Sequence, residues 1–387
     1  MKNFRWYNPT QIIFGKGVLT QMGAQAGKLG QRALLLYGGG SVRHNGVYDQ
    51  VTSSLQEAGI PYVELGGVRP NPRLSLVYEG IRLVRENKLD MVLCMGGGSV
   101  IDSGKAIAMG AVYDGDVWDF YWNGVQPTAS LPVGVVLTIP AAGSESSDGS
   151  VITNEEGWYK RSCCCDLQYP IFALLDPQVC FTLPKAQIAA GGVDMLAHIM
   201  ERYFSKEPHT DLSDRLCESA MLSLMTWLPR VIENPQDYDA WAEIMWGGNI
   251  AHNGLLGRGR EEDWASHAIE HELSARYDIS HGAGLAIVFP AWMRYVYHED
   301  LPRFTQFARR VMGVSLPDSM PEKTALEGIA RLERFFHDLG APIRLHEANI
   351  DSTYIPDMAL KCCGDWTLGS FRRLNRQDVE NILRLAL

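Results

Sequence analysis

The sequence lacks both an excess of positive charge and a long apolar run. Its 387 residues include 35 Lys and Arg against 45 Asp and Glu, which gives a formal net charge of -10 at pH 7. Because a nucleic-acid-binding protein needs a basic face to neutralise phosphates, this balance argues against a nucleic-acid partner. The longest mostly apolar stretch, residues 131–143, contains two prolines and is too short to span a bilayer. The N-terminus has no apolar segment of signal-peptide length, so we expect a cytoplasmic protein without a membrane partner.

Several short motifs that would point to other classes of protein are also missing. The 8 cysteines include the runs Cys163-Cys164-Cys165 and Cys362-Cys363, and none of them stands in a CxxC pattern. Zinc-ribbon and thioredoxin-like sites are therefore disfavoured, and we expect reduced thiols that are buried or inert. GxGxxG and HExxH do not occur, which argues against an ordinary Rossmann fingerprint and against a zincin protease.

Strand-length apolar runs alternate with glycine turns and helical segments in the first half of the chain. These runs lie at residues 33–37, 91–95, 133–139 and 171–175. Continuous apolar runs between helical segments predict a parallel sheet that is covered on both faces.

The pattern changes near residue 183, after which long segments have helical spacing and no comparable strand runs appear. Pro184 suits the first turn of the first helix, with Thr182 as a candidate cap. We predict an α/β chain with a Rossmann-like parallel-sheet domain over residues 1–183 and an all-helical domain over residues 184–387. The predicted helices of the second domain span residues 187–204, 211–232, 239–255, 263–275, 284–297, 322–339 and 376–385.

Two glycine-rich turns follow the first two predicted strands. Gly96-Gly97-Gly98-Ser99 leads into a helix, whose N-terminus offers free N–H groups and the positive end of the helix dipole to a phosphate. Ser99 is a candidate N-cap, to which Asp102 could return a hydrogen bond. Gly38-Gly39-Gly40-Ser41 contains no acid that would hold a ribose 2′-hydroxyl and is followed by Arg43, a composition that favours NADP over NAD. A plain turn without a ligand is the alternative interpretation at both places.

A carboxylate and four histidines have the spacing of a metal site. Asp194 and His198 are four residues apart in a helical segment, so both side chains lie on one helix face. His267 and His271 repeat that spacing, and His281 follows, so three of the 10 histidines fall in one short segment. Imidazoles with one carboxylate suit Fe²⁺ or Zn²⁺ and leave room for a substrate oxygen. Each histidine alone is more simply explained as a capping or packing residue, but the joint pattern predicts metal binding.

Together, these residues resemble the iron-containing (group III) alcohol dehydrogenase family along essentially the whole chain. Within that family, the stretches Tyr37–Val42 and Asp263–His267 look like the butanol-dehydrogenase-like, NADPH-dependent aldehyde reductase branch. The features that carry the resemblance are Phe14-Gly15-Lys16-Gly17, Pro70-Asn71-Pro72, Gly96-Gly97-Gly98-Ser99 with Asp102, Gly143-Ser144-Glu145, Asp176-Pro177, Asp194 with His198, and His267, His271 and His281-Gly282.

The resemblance implies which residues bind metal and cofactor. The first domain is implied to bind a dinucleotide, NADP(H) before NAD(H), and the second to hold one divalent ion, Fe²⁺ or Zn²⁺. His271 is implied to line the substrate site near the nicotinamide as a catalytic residue. The implied metal ligands are Asp194, His198, His267 and His281. The implied cofactor contacts are Gly38, Gly39, Gly40, Ser41, Asn71, Gly97, Gly98, Ser99, Asp102, Thr138, Lys160 and Thr182. Ala142 departs from the family pattern, since many relatives have a Thr there that touches the cofactor.

The implied activity is hydride transfer between NADP(H) and a small aliphatic aldehyde or primary alcohol, in a homodimer or larger homo-oligomer. A glycerol or polyol dehydrogenase is the closer alternative. A dehydroquinate-synthase-like lyase is a more distant one, since it needs basic residues to grip an acidic substrate and only Arg276 occurs between His267 and His281. A non-enzymatic metal protein is disfavoured, because structural zinc sites favour four closed ligands that include Cys.

Overall fold

The computed structural model describes all 387 residues, which form eight strands and fifteen α-helices. The strands are β1 (Gln11–Phe14), β2 (Ala33–Tyr37), β3 (Tyr62–Leu65), β4 (Met91–Gly96), β5 (Val133–Leu137), β6 (Gly149–Asn154), β7 (Tyr159–Cys164) and β8 (Phe172–Leu175). The helices are α1 (Met22–Ala26), α2 (Ser41–His44), α3 (Val47–Glu57), α4 (Leu74–Asn87), α5 (Gly98–Ala111), α6 (Asp119–Trp122), α7 (Lys185–Tyr203), α8 (Asp211–Glu233), α9 (Tyr238–His252), α10 (Ala265–Tyr277), α11 (His281–Val296), α12 (Leu301–Arg310), α13 (Pro321–Leu339), α14 (Ile355–Cys363) and α15 (Arg376–Leu385).

Six strands form one parallel sheet in the order β1-β8-β5-β4-β2-β3, and β6 and β7 form a separate antiparallel hairpin. The four inner strands of the sheet are buried along their whole length, whereas the edge strands β1 and β3 are partly exposed. Continuous burial is what the uninterrupted apolar runs predict for a parallel sheet that is covered on both faces. The predicted α/β fold with a parallel sheet is confirmed.

The direction of chain progress across the sheet reverses between β2 and β4. From β2 the chain moves outward to β3, and it then builds β4, β5 and β8 on the other side. In open parallel sheets, ligands bind beyond the carboxyl ends of the strands at such a reversal, because the connecting loops diverge there and leave a crevice. Gly38 follows β2 and Gly97 follows β4, so both glycine turns lie at this point.

The chain forms two compact units. One comprises residues 7–183 and 234–253 and contains both sheets, and the other comprises residues 1–6, 184–233 and 254–387 and is helical. The predicted division at residue 183 coincides with one break, but the prediction assigned residues 234–253 to the helical domain. Helix α9 lies in the sheet-containing unit because Asn249 Nδ2 donates hydrogen bonds to Glu145 Oε1 (2.9 Å) and Ser146 Oγ (2.8 Å).

The helical unit contains the predicted helices 187–204, 211–232, 263–275, 284–297, 322–339 and 376–385, with bounds that differ by a few residues. Thr182 is not the cap of α7, as the sequence suggested. It ends a separate 3-10 helix, Pro177–Thr182, and Pro184 is the N-cap residue of α7, which begins at Lys185. Across the whole chain, no helix combines the length and the apolar character that a membrane-spanning segment requires.

Candidate active site

Helix α5 begins directly after the second glycine turn and presents its N-terminus there. Gly97 is the N-cap residue, and no side chain caps the first turn. The prediction that Ser99 caps this helix is wrong, because Ser99 lies inside the first turn. The carboxylate of Asp102 instead accepts hydrogen bonds from Ser144 Oγ (2.6 Å) and Val151 N (2.9 Å). The N-terminus of this 14-residue helix, with no side-chain cap, suits an anionic phosphate.

Both glycine turns need glycine, each for a different reason. A Cβ atom on Gly98 would lie 3.0 Å from Ala142 Cβ, and a Cβ atom on Gly97 would lie 3.2 Å from Ile139 Cβ. Side chains there would crowd the backbone to which a phosphate would come close. Gly40 has a φ of 109°, a conformation that favours glycine, and it precedes Ser41 at the start of α2.

The other residues implied to contact the cofactor lie in segments that follow the strands, or on the hairpin. Asn71 lies in the loop after β3, and its Oδ1 accepts a hydrogen bond from Lys160 Nζ on β7 (3.0 Å), with both residues buried. Thr138 follows β5 and donates its N–H to Gly96 O (3.0 Å). Thr182 is exposed at the end of its 3-10 helix, which contacts Thr138 through Cys180. Their contact with a cofactor stays a prediction.

A fully buried lysine, which sequence reasoning missed, supports the α5 turn. Lys105 Nζ donates hydrogen bonds to the backbone oxygens of Ser147 (2.9 Å) and Gly149 (2.8 Å). Burial lowers the pKa of Lys105 and raises that of Asp102, while the attraction between the two charges opposes both changes. Asp102 and Lys105 therefore fix the segment 144–151 against α5. The motif Gly96-Gly97-Gly98-Ser99 with Asp102 therefore holds the segment 144–151 in place as well as forming the turn.

Arg43, the cation next to the first glycine turn, is already paired. Its Nη2 lies 2.6 Å from Glu64 Oε2 and 2.6 Å from Tyr37 Oη, and its guanidinium stacks on the ring of Tyr48. Burial raises the pKa of Glu64, but hydrogen bonds from Tyr48 and Tyr37 and the charge of Arg43 have a larger opposite effect. The pKa of Glu64 is therefore below its usual value. The Arg43–Glu64 pair therefore carries no net charge at neutral pH.

Helices α7, α10 and α11 bring the four predicted metal ligands together. Asp194 and His198 lie one turn apart on α7, His267 lies in the first turn of α10, and His281 begins α11. One side-chain oxygen or nitrogen from each of the four lies within 4.8 Å of those of the other three. We refer to Asp194, His198, His267 and His281 as the ligand cluster.

The spacing within the ligand cluster is that of groups around one cation. Asp194 Oδ1 lies 3.7 Å from His198 Nε2 and 3.8 Å from His281 Nε2. These separations exceed a hydrogen bond but are close to the distance of about 3.4 Å that separates two ligands of a tetrahedral site. The rings of His198 and His267 stack with their centroids 4.8 Å apart.

The chemistry of the ligand cluster fits a divalent metal ion. His267 Nε2 is buried and has no hydrogen-bond partner in the protein, a condition that costs about 1–3 kcal/mol unless another ligand satisfies it. Three imidazoles and one carboxylate form a donor set that suits Zn²⁺ or Fe²⁺. Nearby, burial and the charge of Glu201 raise the pKa of Asp263 to about 7.

Two buried carboxylates behind the ligand cluster were not predicted. Glu201 Oε1 accepts a hydrogen bond from His267 Nδ1 (2.7 Å), and Glu270 accepts one from His281 Nδ1. An Nδ1 that donates to such a carboxylate carries the proton, and in a neutral imidazole this arrangement leaves Nε2 with its lone pair for a ligand. Helical spacing was the available signal, since Glu201 follows Asp194 by seven residues and Glu270 follows His267 by three.

His271, the predicted catalytic residue, lies beside the ligand cluster and is half-buried. Its ring centroid is 5.5 Å from that of His281, and it forms a second group of close ligand atoms with Glu270 and His281. Trp264 lies on another side, with its ring centroid 4.9 Å from that of His267 and 5.8 Å from that of His198. The cluster thus has a titratable neighbour and an aromatic wall.

Comparison with known proteins gives matches along the whole chain. Two family models match: iron-containing alcohol dehydrogenase over residues 9–177, and the Fe-containing alcohol dehydrogenase family, C-terminal, over residues 188–387. The chain is 44% identical over 387 residues to the probable NADH-dependent butanol dehydrogenase 1 of Bacillus subtilis (strain 168), with 100% of both covered. It is 37% identical over 364 residues to the NADPH-dependent aldehyde reductase YqhD of Escherichia coli (strain K12), with 93% of both covered.

Solved structures with a similar fold include another butanol dehydrogenase. The crystal structure of NADH-dependent butanol dehydrogenase A from Thermotoga maritima superposes with a TM-score of 0.96 at 42% identity, covering 100% of this chain and 99% of that one.

Proposed function

Because this chain belongs to the iron-containing alcohol dehydrogenase family, we propose that it reduces small aliphatic aldehydes, or oxidises the matching primary alcohols, with NADP(H) as the preferred cofactor. The family implies alcohol dehydrogenase activity with a nicotinamide cofactor and a divalent metal. The observation that carries the proposal is the convergence of Asp194, His198, His267 and His281.

The ligand cluster would hold the metal ion, and the glycine turns after β2 and β4 would hold the dinucleotide. When bound, the metal supplies Lewis-acid polarisation of a carbonyl oxygen, and the nicotinamide supplies or accepts the hydride. Glu201 and Glu270 hold two imidazoles in the tautomer that a ligand needs. Trp264 covers His198 and His267 on one side and so limits the access of water.

His271 is proposed to hold and transfer the proton that accompanies the hydride. It lies beside the ligand cluster, it is half-buried, and imidazole titrates in the range in which general acids and bases act. Its position as a neighbour of His281 supports this role rather than that of a fifth ligand.

The preference for NADP(H) is proposed from the first glycine turn. Gly38, Gly39, Gly40 and Ser41 offer no carboxylate that would repel a 2′-phosphate, and Arg43 follows them. Arg43 would exchange its contact with Glu64 for the phosphate. Since Glu64 is ionised and competes for the same guanidinium, it reduces this preference, and relatives named for NADH and for NADPH both occur.

We also propose that the enzyme acts in the cytoplasm as a homodimer or larger homo-oligomer. All eight cysteines are free thiols in the structure, as is usual in a reducing compartment.

The test combines metal analysis of purified protein with NADPH and NADH turnover over butyraldehyde, other short aldehydes and glycerol. We expect about one equivalent of divalent metal per chain and faster turnover of butyraldehyde with NADPH. His267→Ala should lose both metal and turnover, whereas His337→Ala, an exposed histidine on α13, should lose neither. A metal-free His267→Ala variant with full activity would refute the metal-site assignment. Higher activity on glycerol than on any aldehyde would favour a polyol dehydrogenase.

A further inference from the structure

Glu201 is a buried carboxylate beside the ligand cluster that accepts four hydrogen bonds. It lies on α7 three residues after His198, and its side chain has no exposed surface. Its carboxylate links α7 to the first turn of α10. It accepts hydrogen bonds from Trp264 N (2.8 Å), Ser266 Oγ (2.5 Å), His267 N (3.2 Å) and His267 Nδ1 (2.7 Å).

Two of these bonds fix the backbone around His267. Trp264, the N-cap residue of α10, has a φ of 64°, which is unfavourable for a bulky residue and persists only where neighbouring contacts hold it. The bond from Trp264 N and the bond from His267 N both end on Glu201. The direction from which α10 delivers the His267 ring is therefore set by one carboxylate on another helix.

None of the groups that donate hydrogen bonds to Glu201 belongs to a lysine or arginine side chain. The neighbouring guanidinium of Arg202 lies over the Trp264 ring and 3.5 Å from Glu262. A buried carboxylate held by neutral donors makes a positive ion nearby more favourable than it would be in water, because the interior screens charge weakly. Among the residues that donate hydrogen bonds to Glu201, only His267 belongs to the ligand cluster.

We propose that Glu201 is a positioning residue that sets the affinity of the ligand cluster for its divalent cation. It does so through His267, by holding Nδ1 protonated, by fixing the orientation of the ring and by adding negative charge behind it. This inference rests on the proposed function, since it requires that the cluster binds metal.

The experiment measures Zn²⁺ affinity of metal-free full-length protein by competition with a chromophoric chelator, together with the thermal unfolding temperature. Glu201→Gln should weaken Zn²⁺ binding by about 10- to 100-fold, because a neutral amide removes the charge and cannot accept all four bonds. Glu218→Gln is the matched control, since Glu218 is also buried in the helical unit but bonds to Tyr203 and Arg310. It should lower the unfolding temperature and leave Zn²⁺ affinity unchanged.

With Co²⁺ as a spectroscopic probe, Glu201→Gln should also change the visible absorption band of the bound ion, whereas Glu218→Gln should not. If Glu201→Gln does not fold, Glu201→Asp takes its place, since it keeps the charge but withdraws it from His267, and it should weaken Zn²⁺ binding by about fivefold or more. Zn²⁺ affinity within twofold of the unmodified protein in the folded Glu201 variant would overturn this inference and leave the proposed function intact. Failure of the unmodified protein to bind any divalent ion would overturn both.

Discussion

A Cβ atom on Gly282 would overlap the backbone oxygen of Ala190, so helices α11 and α7 meet there backbone to backbone. Ala190 precedes Asp194 by one turn, and Gly282 follows His281 directly. This close approach therefore sets the distance between two members of the ligand cluster. We expect Gly282→Ala to push α11 away from α7 and to weaken metal binding by about tenfold or more, as measured by metal content after dialysis and by Zn²⁺ competition.

Gly328 supplies the control for this substitution. A Cβ atom there would lie 2.8 Å from Ala308 Cα, so α13 and α12 are also closely packed, but neither helix carries a predicted ligand. Gly328→Ala should lower the unfolding temperature without loss of metal affinity. Equal metal affinity in Gly282→Ala and the unmodified protein would show that the spacing of α7 and α11 does not govern the site.

His271→Ala separates a ligand from a proton-transfer residue. We expect the variant to keep its metal and to lose turnover by about 10²- to 10⁴-fold, the usual contribution of a general acid or base. The measurement is kcat with the preferred cofactor across pH, alongside metal content. Loss of the metal from this variant would make His271 a ligand. Full activity with an unchanged pH profile would remove His271 from the mechanism.

Cofactor selectivity provides a separate test at the first glycine turn. Gly38 does not have a left-handed backbone, and a Cβ atom there would lie 3.4 Å from Val68 O, so a side chain is accommodated. Gly38→Asp should shift the ratio of kcat/KM values toward NADH by about tenfold or more, through repulsion of the 2′-phosphate.

The reverse change comes from the partner of Arg43. Glu64→Gln removes the anion that competes for the guanidinium, and it should shift the same ratio toward NADPH by about tenfold, since 1.4 kcal/mol corresponds to that factor. Arg43→Ala in the Glu64→Gln background should abolish the gain. Unchanged selectivity in both Gly38→Asp and Glu64→Gln would contradict the placement of the 2′-phosphate.

The inner strands and the long helices could be read from the sequence because their patterns are strong and local. Ala33–Tyr37 and Met91–Met95 are uninterrupted apolar runs, which only a doubly covered strand or a buried helix explains. The edge strand β3 was missed because Tyr62–Leu65 includes the exposed Glu64. Both strands of the hairpin, β6 and β7, were also missed. Tyr159–Cys164 mixes charged residues and cysteines, and only its pairing with β6 makes it a strand.

A metal site was predictable because Asp194 and His198, and His267 and His271, are spaced four residues apart on helices and their donor types are few. The choice of Asp194, His198, His267 and His281 as the four ligands came from the family resemblance. Glu201 and Glu270 were not predicted, because a buried glutamate has the same identity in the sequence as an exposed one. The assignment of α9 failed for a similar reason. Its sequence predicts a helix, but the contact that decides its unit joins Asn249 to Glu145, more than a hundred residues away.

The stability of the helical unit should depend on Asp214, which joins two arginines. Its carboxylate lies 2.7 Å from Arg260, which is fully buried, and 2.6 Å from Arg303. Burial raises the pKa of Asp214, but Arg303 and Arg260 outweigh this effect and lower the pKa below its usual value. Asp214→Asn should lower the free energy of unfolding by about 3–5 kcal/mol at pH 7, because Arg260 keeps its buried charge without the anion.

A group whose pKa is lower in the folded state stabilises the protein above its unfolded pKa of about 3.9 and loses that effect as the pH falls through the folded value. The difference in unfolding temperature between Asp214→Asn and the unmodified protein, measured by calorimetry, should therefore be constant from pH 7 to about pH 5 and shrink below about pH 4. Asp211→Asn, which breaks an exposed pair with Arg215 on the same helix, should change little at any pH. A difference for Asp214→Asn that grows on acidification would contradict the lowered pKa.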